Sequence, residues 1–173
     1  TMAKKSLPPP RRDSIIQRIR VSHGMFVNVI NMKNRFIEYP NENNIKEIGE
    51  YFCLHDAVIA IDSSDVKEIM DGAENTIVLS GKATGSNRCG DAIEDAVLHT
   101  CSVVCDFNLF TANKFIIFIL CPKDVPMLMS ENESINTFVQ MFRQNNIFKW
   151  GLAVKEHIHY MHIMIIASNL QKK

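Results

Sequence analysis

The chain has 173 residues, of which 46% are hydrophobic and 22% are charged, a composition typical of one globular domain with a substantial core. Its 19 basic and 19 acidic residues cancel, so the net charge gives no electrostatic reason to expect a nucleic acid or an anionic membrane as partner. The longest apolar run, residues 115–121, is far too short to cross a bilayer and the N-terminus lacks the apolar core of a signal peptide, which predicts a cytoplasmic protein without membrane insertion.

The cysteines form no recognisable metal or disulfide pattern. Their number, 5, is odd and no pair is spaced C-x-x-C, which argues against a disulfide framework and against a zinc ribbon. We expect most of them to be buried thiols in a reducing compartment. They are Cys53, Cys89, Cys101, Cys105 and Cys121.

The composition of residues 1–14 predicts a disordered leader. They contain three consecutive prolines and a pair of arginines, a composition that favours an extended chain without a packed face. Met2 follows Thr1 in the manner of a natural start behind a vector remnant. The interpretation at this level is a whole small protein and not an excised domain.

The sequence pattern of residues 15–56 predicts an N-terminal extension made of a strand and a helix. β-branched residues favour a strand over about 25–30, and apolar residues at helical spacing predict an amphipathic helix from Asn44 to about His55. The first part of the extension also fits one turn of a helix, which would use Ile15, Ile16 and Ile19.

An acidic stretch follows the apolar run that ends at Ile61, and it predicts the start of a helix. Asp65 can cap this helix, with Glu68 three residues later completing a capping box, while Asp62 is left as a loop carboxylate. Gly72 is placed to end the helix. This pattern predicts a short helix with an acidic N-terminal end.

A strand, a glycine turn and a second helix are predicted next. The strand covers about 75–80, and Gly81 and Gly85 bracket a turn whose backbone requires conformations that a β-carbon would hinder. Apolar positions then recur at i, i+3, i+4, i+7 and i+8, which predicts a helix over 87–100.

The rest of the chain predicts three more strands and one more helix. Residues 114–121 form a continuous apolar run, which is typical of a central strand covered on both faces. A helix is predicted over 131–145. The strands 147–153 and 157–168 are joined by a short polar turn, so they are predicted to pair as a hairpin.

Together these elements predict an α/β (α+β) fold. Four strands form one mixed sheet, and the helices over 87–100 and 131–145 pack on one face of it, as a two-layer sandwich. The domain spans residues 57–173.

The segment of about 57–170 resembles the C-terminal domain of FtsZ, the bacterial tubulin homologue, without its GTPase domain. The resemblance rests on the acidic residues in Asp62-Ser63-Ser64-Asp65-Val66, on Ile69-Met70, and on the turn Ser80-Gly81-Lys82-Ala83-Thr84-Gly85 followed by Arg88. Two positions depart from the family pattern: Ala60 stands where the family has Asn, and Cys89 stands where it has Ala. The order of the downstream elements also agrees with this domain.

The resemblance implies a role for the acidic loop on a neighbouring molecule. In FtsZ this loop reaches the nucleotide pocket of the next subunit and helps to position the attacking water, so Asp62 and Asp65 resemble residues that act in trans. Gly81, Gly85 and Arg88 are the corresponding turn or interaction residues. The structural alternative is that Asp65 is only a helix cap and Asp62 only a loop carboxylate.

The chain itself is not expected to bind a nucleotide or another cofactor. A phosphate site needs a glycine-rich loop whose N–H groups are open to the ligand, and the 7 glycines of this sequence form no such run. Ser80-Gly81-Lys82-Ala83 also lacks the spacing of a Walker loop. We therefore predict no GTPase activity within the chain.

Histidines near the C-terminus provide weak candidates for a metal site. Strand alternation places His157 and His159 on one face and His162 on the other, so only two could share a metal ion. No carboxylate or cysteine stands at a fixed spacing to complete the ligand set. The prediction is no metal site, with ordinary surface or edge histidines.

The leading functional hypothesis is a non-GTPase, FtsZ-like module of bacterial cell division that binds FtsZ filaments or associates with itself. One alternative is a small oligomeric α/β enzyme with a site between subunits, although the sequence shows no Ser-His-Asp, paired-carboxylate or Cys-His pattern to support it. Another alternative is a fragment of a full FtsZ GTPase whose acidic loop acts in trans. Fold alone does not decide among these.

Overall fold

The computed structural model describes residues 36–38, 57–101 and 106–173. The predicted leader 1–14, the strand near 25–30 and the helix 44–55 lie outside these residues. The strands are β1 Phe36–Glu38, β2 Thr76–Ala83, β3 Phe107–Asn108, β4 Lys114–Pro122, β5 Ile147–Lys155, β6 Met161–Ser168 and β7 Gln171–Lys172. The helices are α1 Ser63–Met70, α2 Arg88–Cys101 and α3 Asn132–Gln140, and short 3-10 turns cover Leu109–Thr111 and Met129–Glu131.

The main sheet has the strand order β1-β2-β6-β4-β5. β6 lies between β2 and β4 and is antiparallel to both, whereas β5 runs parallel to β4 and β1 runs parallel to β2. The four predicted strands are therefore confirmed in one mixed sheet, and the three-residue β1 adds a fifth strand at one edge. β3 and β7 form a separate two-stranded sheet.

The predicted hairpin of β5 and β6 is wrong, because β4 lies between these strands. Every residue of β6 is buried, whereas most of β5 is half-buried; β6 therefore takes the centre of the sheet and β5 its edge. The connection 156–160 has to pass one strand, a distance of about 10 Å. β6 begins at Met161 and not at 157, since His157 has a φ of 61° and interrupts the extended backbone.

Alternate residues of β4 supply the cores on the two faces of the sheet. Phe115 and Ile117 pack in the cluster that includes residues of α2 and α3, while Ile116 and Phe118 pack with residues of α1. The predicted placement of α2 and α3 on one face is confirmed, and so is the fold class. α1 adds cover on the opposite face, which explains the continuous apolar run of β4.

A close contact between β2 and α2 depends on Gly81. The sequence placed Gly81 in a turn, but it lies inside β2, and a Cβ there would be 2.1 Å from the Ala92 carbonyl oxygen and 2.5 Å from the Ala96 nitrogen. Both obstacles are backbone atoms, which cannot move without shifting the helix. The glycine therefore sets the distance between α2 and the sheet.

We expect Gly81→Ala to lower the free energy of unfolding by ~1–3 kcal/mol, because the added methyl overpacks a backbone contact. Gly90→Ala is the matched control, since its Cβ would be 3.1 Å from the side chain of Asn87 and no closer to any other atom. Gly90 lies within α2, where alanine is favoured over glycine by up to ~1 kcal/mol. Urea unfolding should show a clearly larger loss of unfolding free energy for Gly81→Ala than for Gly90→Ala; equal midpoints for the two variants would contradict the packing argument.

Candidate functional site

The acidic loop at the start of α1 is a reciprocal capping box. The Oδ1 atom of Asp62 accepts hydrogen bonds from the backbone N–H of Ser64 at 2.8 Å and of Asp65 at 3.0 Å, and from the Ser64 hydroxyl at 2.6 Å. In return, Asp65 Oδ2 accepts the backbone N–H of Asp62 at 3.0 Å. The prediction that Asp65 caps this helix is wrong, because α1 begins at Ser63 and Asp65 already lies in its first turn. Asp62 is the cap.

The cap uses only one of the two carboxylate oxygens of Asp62. Within the described ranges, every hydrogen bond that the Asp62 side chain accepts reaches Oδ1 and none reaches Oδ2, and Asp62 is exposed. The hydroxyl of Ser64 is the largest cause that lowers the pKa of Asp62, followed by the N–H of Asp65. Asp62 therefore presents a fixed, ionised oxygen to the solvent at neutral pH.

Asp65 is occupied within the chain. Its Oδ1 atom lies 2.6 Å from the Nζ atom of Lys149, which also pairs with Glu68. These carboxylates, first Asp65 and then Glu68, raise the pKa of Lys149. The ion pairs join α1 to β5, so the acidic loop is held against the sheet. The sequence analysis did not identify Lys149, which lies 84 residues from Asp65.

Arg88 stands at the start of α2, after the turn at Gly85, whose φ is 94°. Its side chain is buried and makes a bidentate ion pair with Glu131, with Nε–Oε1 at 2.8 Å and Nη2–Oε2 at 3.0 Å. Nη1 and Nη2 also donate to the carbonyl oxygens of Val125 at 2.8 Å and Pro126 at 3.0 Å. Arg88 thus fastens the connection after β4 to α2, and its guanidinium is engaged inside the fold.

Cys89, which stands where the FtsZ pattern has Ala, is a buried thiol. Burial raises the pKa of Cys89 to about 12 and also raises the pKa of Cys121. Both are free cysteines, and neither forms a thiolate at neutral pH. The side chains of the remaining cysteines lie outside the described residues.

The histidines do not form the predicted strand pattern. His157 and His159 are exposed and precede β6, whereas His162 lies in β6, fully buried, with its Nε2 atom 2.7 Å from the Ser80 hydroxyl. The alternation argument was wrong because the strand begins later than expected. In the part of the chain that the structure describes, no three His, Cys, Asp or Glu side chains are grouped to hold a metal ion.

A cleft of about 380 Å³ brings Gly85, Arg88 and His159 together beside the turn. The acidic loop is not part of it, since α1 covers the opposite face of the sheet from α2. The sequence-predicted residues therefore fall into two separate places. Asp62 is exposed at one of them, whereas the charged group of Arg88 is neutralised by Glu131 at the other.

No protein-family model matches the sequence, and no curated protein matches it. Among solved structures, an FtsZ dimer of M. jannaschii matches with a TM-score of 0.60 and 20% identity, covering 76% of this chain and 40% of that one. The chain has an FtsZ-like fold.

Two TubZ structures also share the fold of this chain over part of their length. A TubZ-Bt four-stranded filament matches with a TM-score of 0.55 and 17% identity over 73% of this chain and 32% of that chain. A type III plasmid segregation TubZ matches with a TM-score of 0.53 and 16% identity over 75% and 34% of the two chains. This chain therefore spans 32–40% of the length of these three structures.

The lengths of the described helices can be compared with the prediction that the chain does not insert into a membrane. The longest described helix, α2, has 14 residues, and none of the helices in the described ranges is both long and apolar enough to cross a bilayer.

Proposed function

We propose that this chain is an FtsZ-like interaction module of cell division that binds FtsZ filaments or associates with itself. The observation that carries the proposal is the exposed side chain of Asp62, which the capping box holds through Oδ1 while Oδ2 accepts no hydrogen bond from a described residue. In the FtsZ family that the sequence resembles, the corresponding loop acts on the next subunit. A fixed acceptor suits such a contact because little side-chain entropy is lost when it binds.

We also propose that the module does not hydrolyse GTP. The sequence has no glycine-rich run for phosphates, and the Ser80–Ala83 segment belongs to β2, whose residues pair with β6 in an antiparallel ladder. Calorimetric titration of the purified chain with GTP and magnesium should give no binding at micromolar concentrations. A micromolar dissociation constant would refute this part of the proposal.

The decisive experiment is co-sedimentation with GTP-assembled FtsZ from the cells that encode this chain. Asp62→Asn keeps an oxygen for the cap but removes the charge, so it tests the contact without unfolding α1. We expect the parent chain to sediment with the filaments and the variant to bind several-fold more weakly. Glu74→Gln removes an exposed charge outside the loop and is the control.

Self-association is tested in parallel by sedimentation velocity of the chain alone over a range of concentrations. Asp62→Asn should weaken any oligomer that the loop forms, whereas Glu74→Gln should not. A parent chain that stays monomeric and does not sediment with FtsZ filaments would refute the proposal.

The capping role of Asp62 predicts a stability effect that the sequence analysis did not expect. Asp62→Ala should cost ~1 kcal/mol of unfolding free energy, whereas Asp62→Asn should cost at most a few tenths. Because the folded pKa of Asp62 is lowered, its contribution is present above the unfolded pKa and is lost as the pH falls through the folded one. Urea unfolding at neutral pH and at acidic pH measures both effects; identical midpoints for the two variants at neutral pH would contradict the capping role.

A further inference from the structure

An open groove of about 600 Å³ lies between α2 and α3, within the ~300–1,000 Å³ range of binding clefts. It is continuous with the core, since Ile93 and Phe138 line it and belong to the buried cluster on this face of the sheet. Two further lining residues expose large apolar side chains: Leu98 of α2 is 59% exposed, and Met141, which follows α3, is 54% exposed. Such a surface calls for an occupant with apolar side chains.

The groove also carries two carboxylates, one from each helix. Glu94 of α2 and Glu133 of α3 line it, whereas no described Lys, Arg or His does. Both glutamates are exposed, and within the described ranges neither forms an ion pair. An apolar occupant without charge would remove water from these carboxylates and give no hydrogen bond or cation in return, which costs free energy. A stable occupant therefore brings basic groups as well as apolar ones.

The same two carboxylates disfavour other kinds of occupant. Nucleic acids and anionic membranes present phosphates, which carboxylates repel. A second copy of this chain that docked through its own groove would place its Glu94 and Glu133 against the same two residues, so four like charges would face one another. The charge of the groove thus favours a different protein, with Lys or Arg at the contact.

The walls of the groove favour a helix over an extended segment as occupant. Both walls are α-helices, whose backbone N–H and C=O groups are bonded within the helix. An extended segment that lay between them would find no strand edge there to pair with, so its own backbone groups would be buried without partners. A helix bonds these groups internally and presents side chains along one face at i, i+3, i+4 and i+7.

We propose that this groove binds an amphipathic helix of another protein, with apolar residues along one face and Lys or Arg residues beside that face. The apolar residues cover Leu98 and Met141, and the basic residues pair with Glu94 and Glu133. The groove is separate from the acidic loop of Asp62, because α1 and α2 cover opposite faces of the sheet. Substitutions in the groove should therefore leave co-sedimentation with FtsZ filaments unchanged, and either proposal can fail without the other.

Two synthetic peptides test the proposal on the full chain. Both are amphipathic helices of about five turns with leucine along one face, and the remaining positions are lysine in one peptide and glutamate in the other. Fluorescence anisotropy of the labelled lysine peptide should show saturable binding to the parent chain. The double variant Glu94→Lys/Glu133→Lys should bind it about tenfold more weakly, which corresponds to ~1.4 kcal/mol. The glutamate peptide should show the reverse preference.

Matched variants separate the groove from a general attraction of charges. Leu98→Ser/Met141→Ser should weaken binding of the lysine peptide by a similar factor. Val58→Ser, at an apolar residue that is 63% exposed outside the groove, should not, and neither should Glu74→Lys, at an exposed charge outside it. Methyl NMR should show that the peptide shifts the signal of Met141 and not that of Met70, which is buried beneath α1.

The charge swap also guards against loss of the fold. Because the reversed variant should gain affinity for the glutamate peptide, unfolding of that variant cannot imitate the expected result. The proposal is overturned if the parent chain does not bind the lysine peptide, if the groove variants bind it as tightly as the parent does, or if the parent binds both peptides equally well. Dimerisation of the parent that Leu98→Ser/Met141→Ser abolishes would overturn it too, because the occupant would then be a second copy.

Discussion

Replacing Phe118 with alanine should lower the free energy of unfolding by ~3–5 kcal/mol, the largest effect that we expect from a single truncation in this chain. Phe118 is fully buried in the cluster beneath α1, and it lies in β4, which pairs with strands on both sides. The loss combines the transfer free energy of the ring with the cavity that it leaves. Urea unfolding monitored by circular dichroism measures it.

Met129→Ala is the matched control for this truncation, because Met129 is 85% exposed and its removal should change the stability by less than ~0.5 kcal/mol. A typical domain has only ~5–15 kcal/mol in total, so Phe118→Ala should shift the midpoint strongly. A midpoint equal to that of Met129→Ala would show that Phe118 does not belong to the core.

Arg88→Met should have a comparable effect, ~3–5 kcal/mol, because it leaves the partly buried carboxylate of Glu131 without its cation. It also removes the donors to the carbonyl oxygens of Val125 and Pro126. Arg88→Lys should recover only part of the loss, since lysine cannot make the bidentate pair. Lys123→Met breaks an exposed ion pair, because the side chains of Lys123 and its partner Glu156 are each 58% exposed. This substitution should leave the stability almost unchanged.

Acid titration separates the ion pair from simple packing at Arg88. The hydrogen bond from Arg88 is the largest cause that lowers the pKa of Glu131 below its usual 4.5. The pair therefore stabilises the protein above the unfolded pKa, and this contribution is lost as the pH falls through the folded pKa. The stability difference between the parent and Arg88→Met should shrink on acidification; a constant difference would assign the effect to packing.

Local patterns were sufficient to predict most of the fold. The apolar run of β4 predicted a strand, and the helical spacing of apolar residues in α2 predicted a helix. Both predictions were possible because the spacing of apolar residues along the chain follows from the face that each element buries. The strand neighbours of β6 were not predictable in the same way, since a short polar connection permits either a hairpin or a crossing over one strand. Burial of all of β6 decided the outcome.

The site was less predictable than the fold. Asp62-x-x-Asp65 and Asp65-x-x-Glu68 fit a capping box equally well, and the choice depends on where the chain leaves the sheet, which no local pattern records. The partners of Arg88 and Asp65 lie 43 and 84 residues away. Such contacts exist only after the sheet has formed, so the sequence analysis could identify Arg88 and Asp65 but not what neutralises them.

The central position of β6 determines the order in which this chain can fold. β2 and β4 precede β6 and meet only through it, and the pairing of Thr76 with Ser168 joins residues 92 apart. Non-local pairing of this kind closes large loops before it gains contacts, which makes folding slow. Until β6 inserts, β2 and β4 each present an open edge lined with apolar residues, a state that is prone to aggregation. During synthesis the edges of β2 and β4 therefore stay exposed until β6, which ends at Ser168, has left the ribosome and can pair with both.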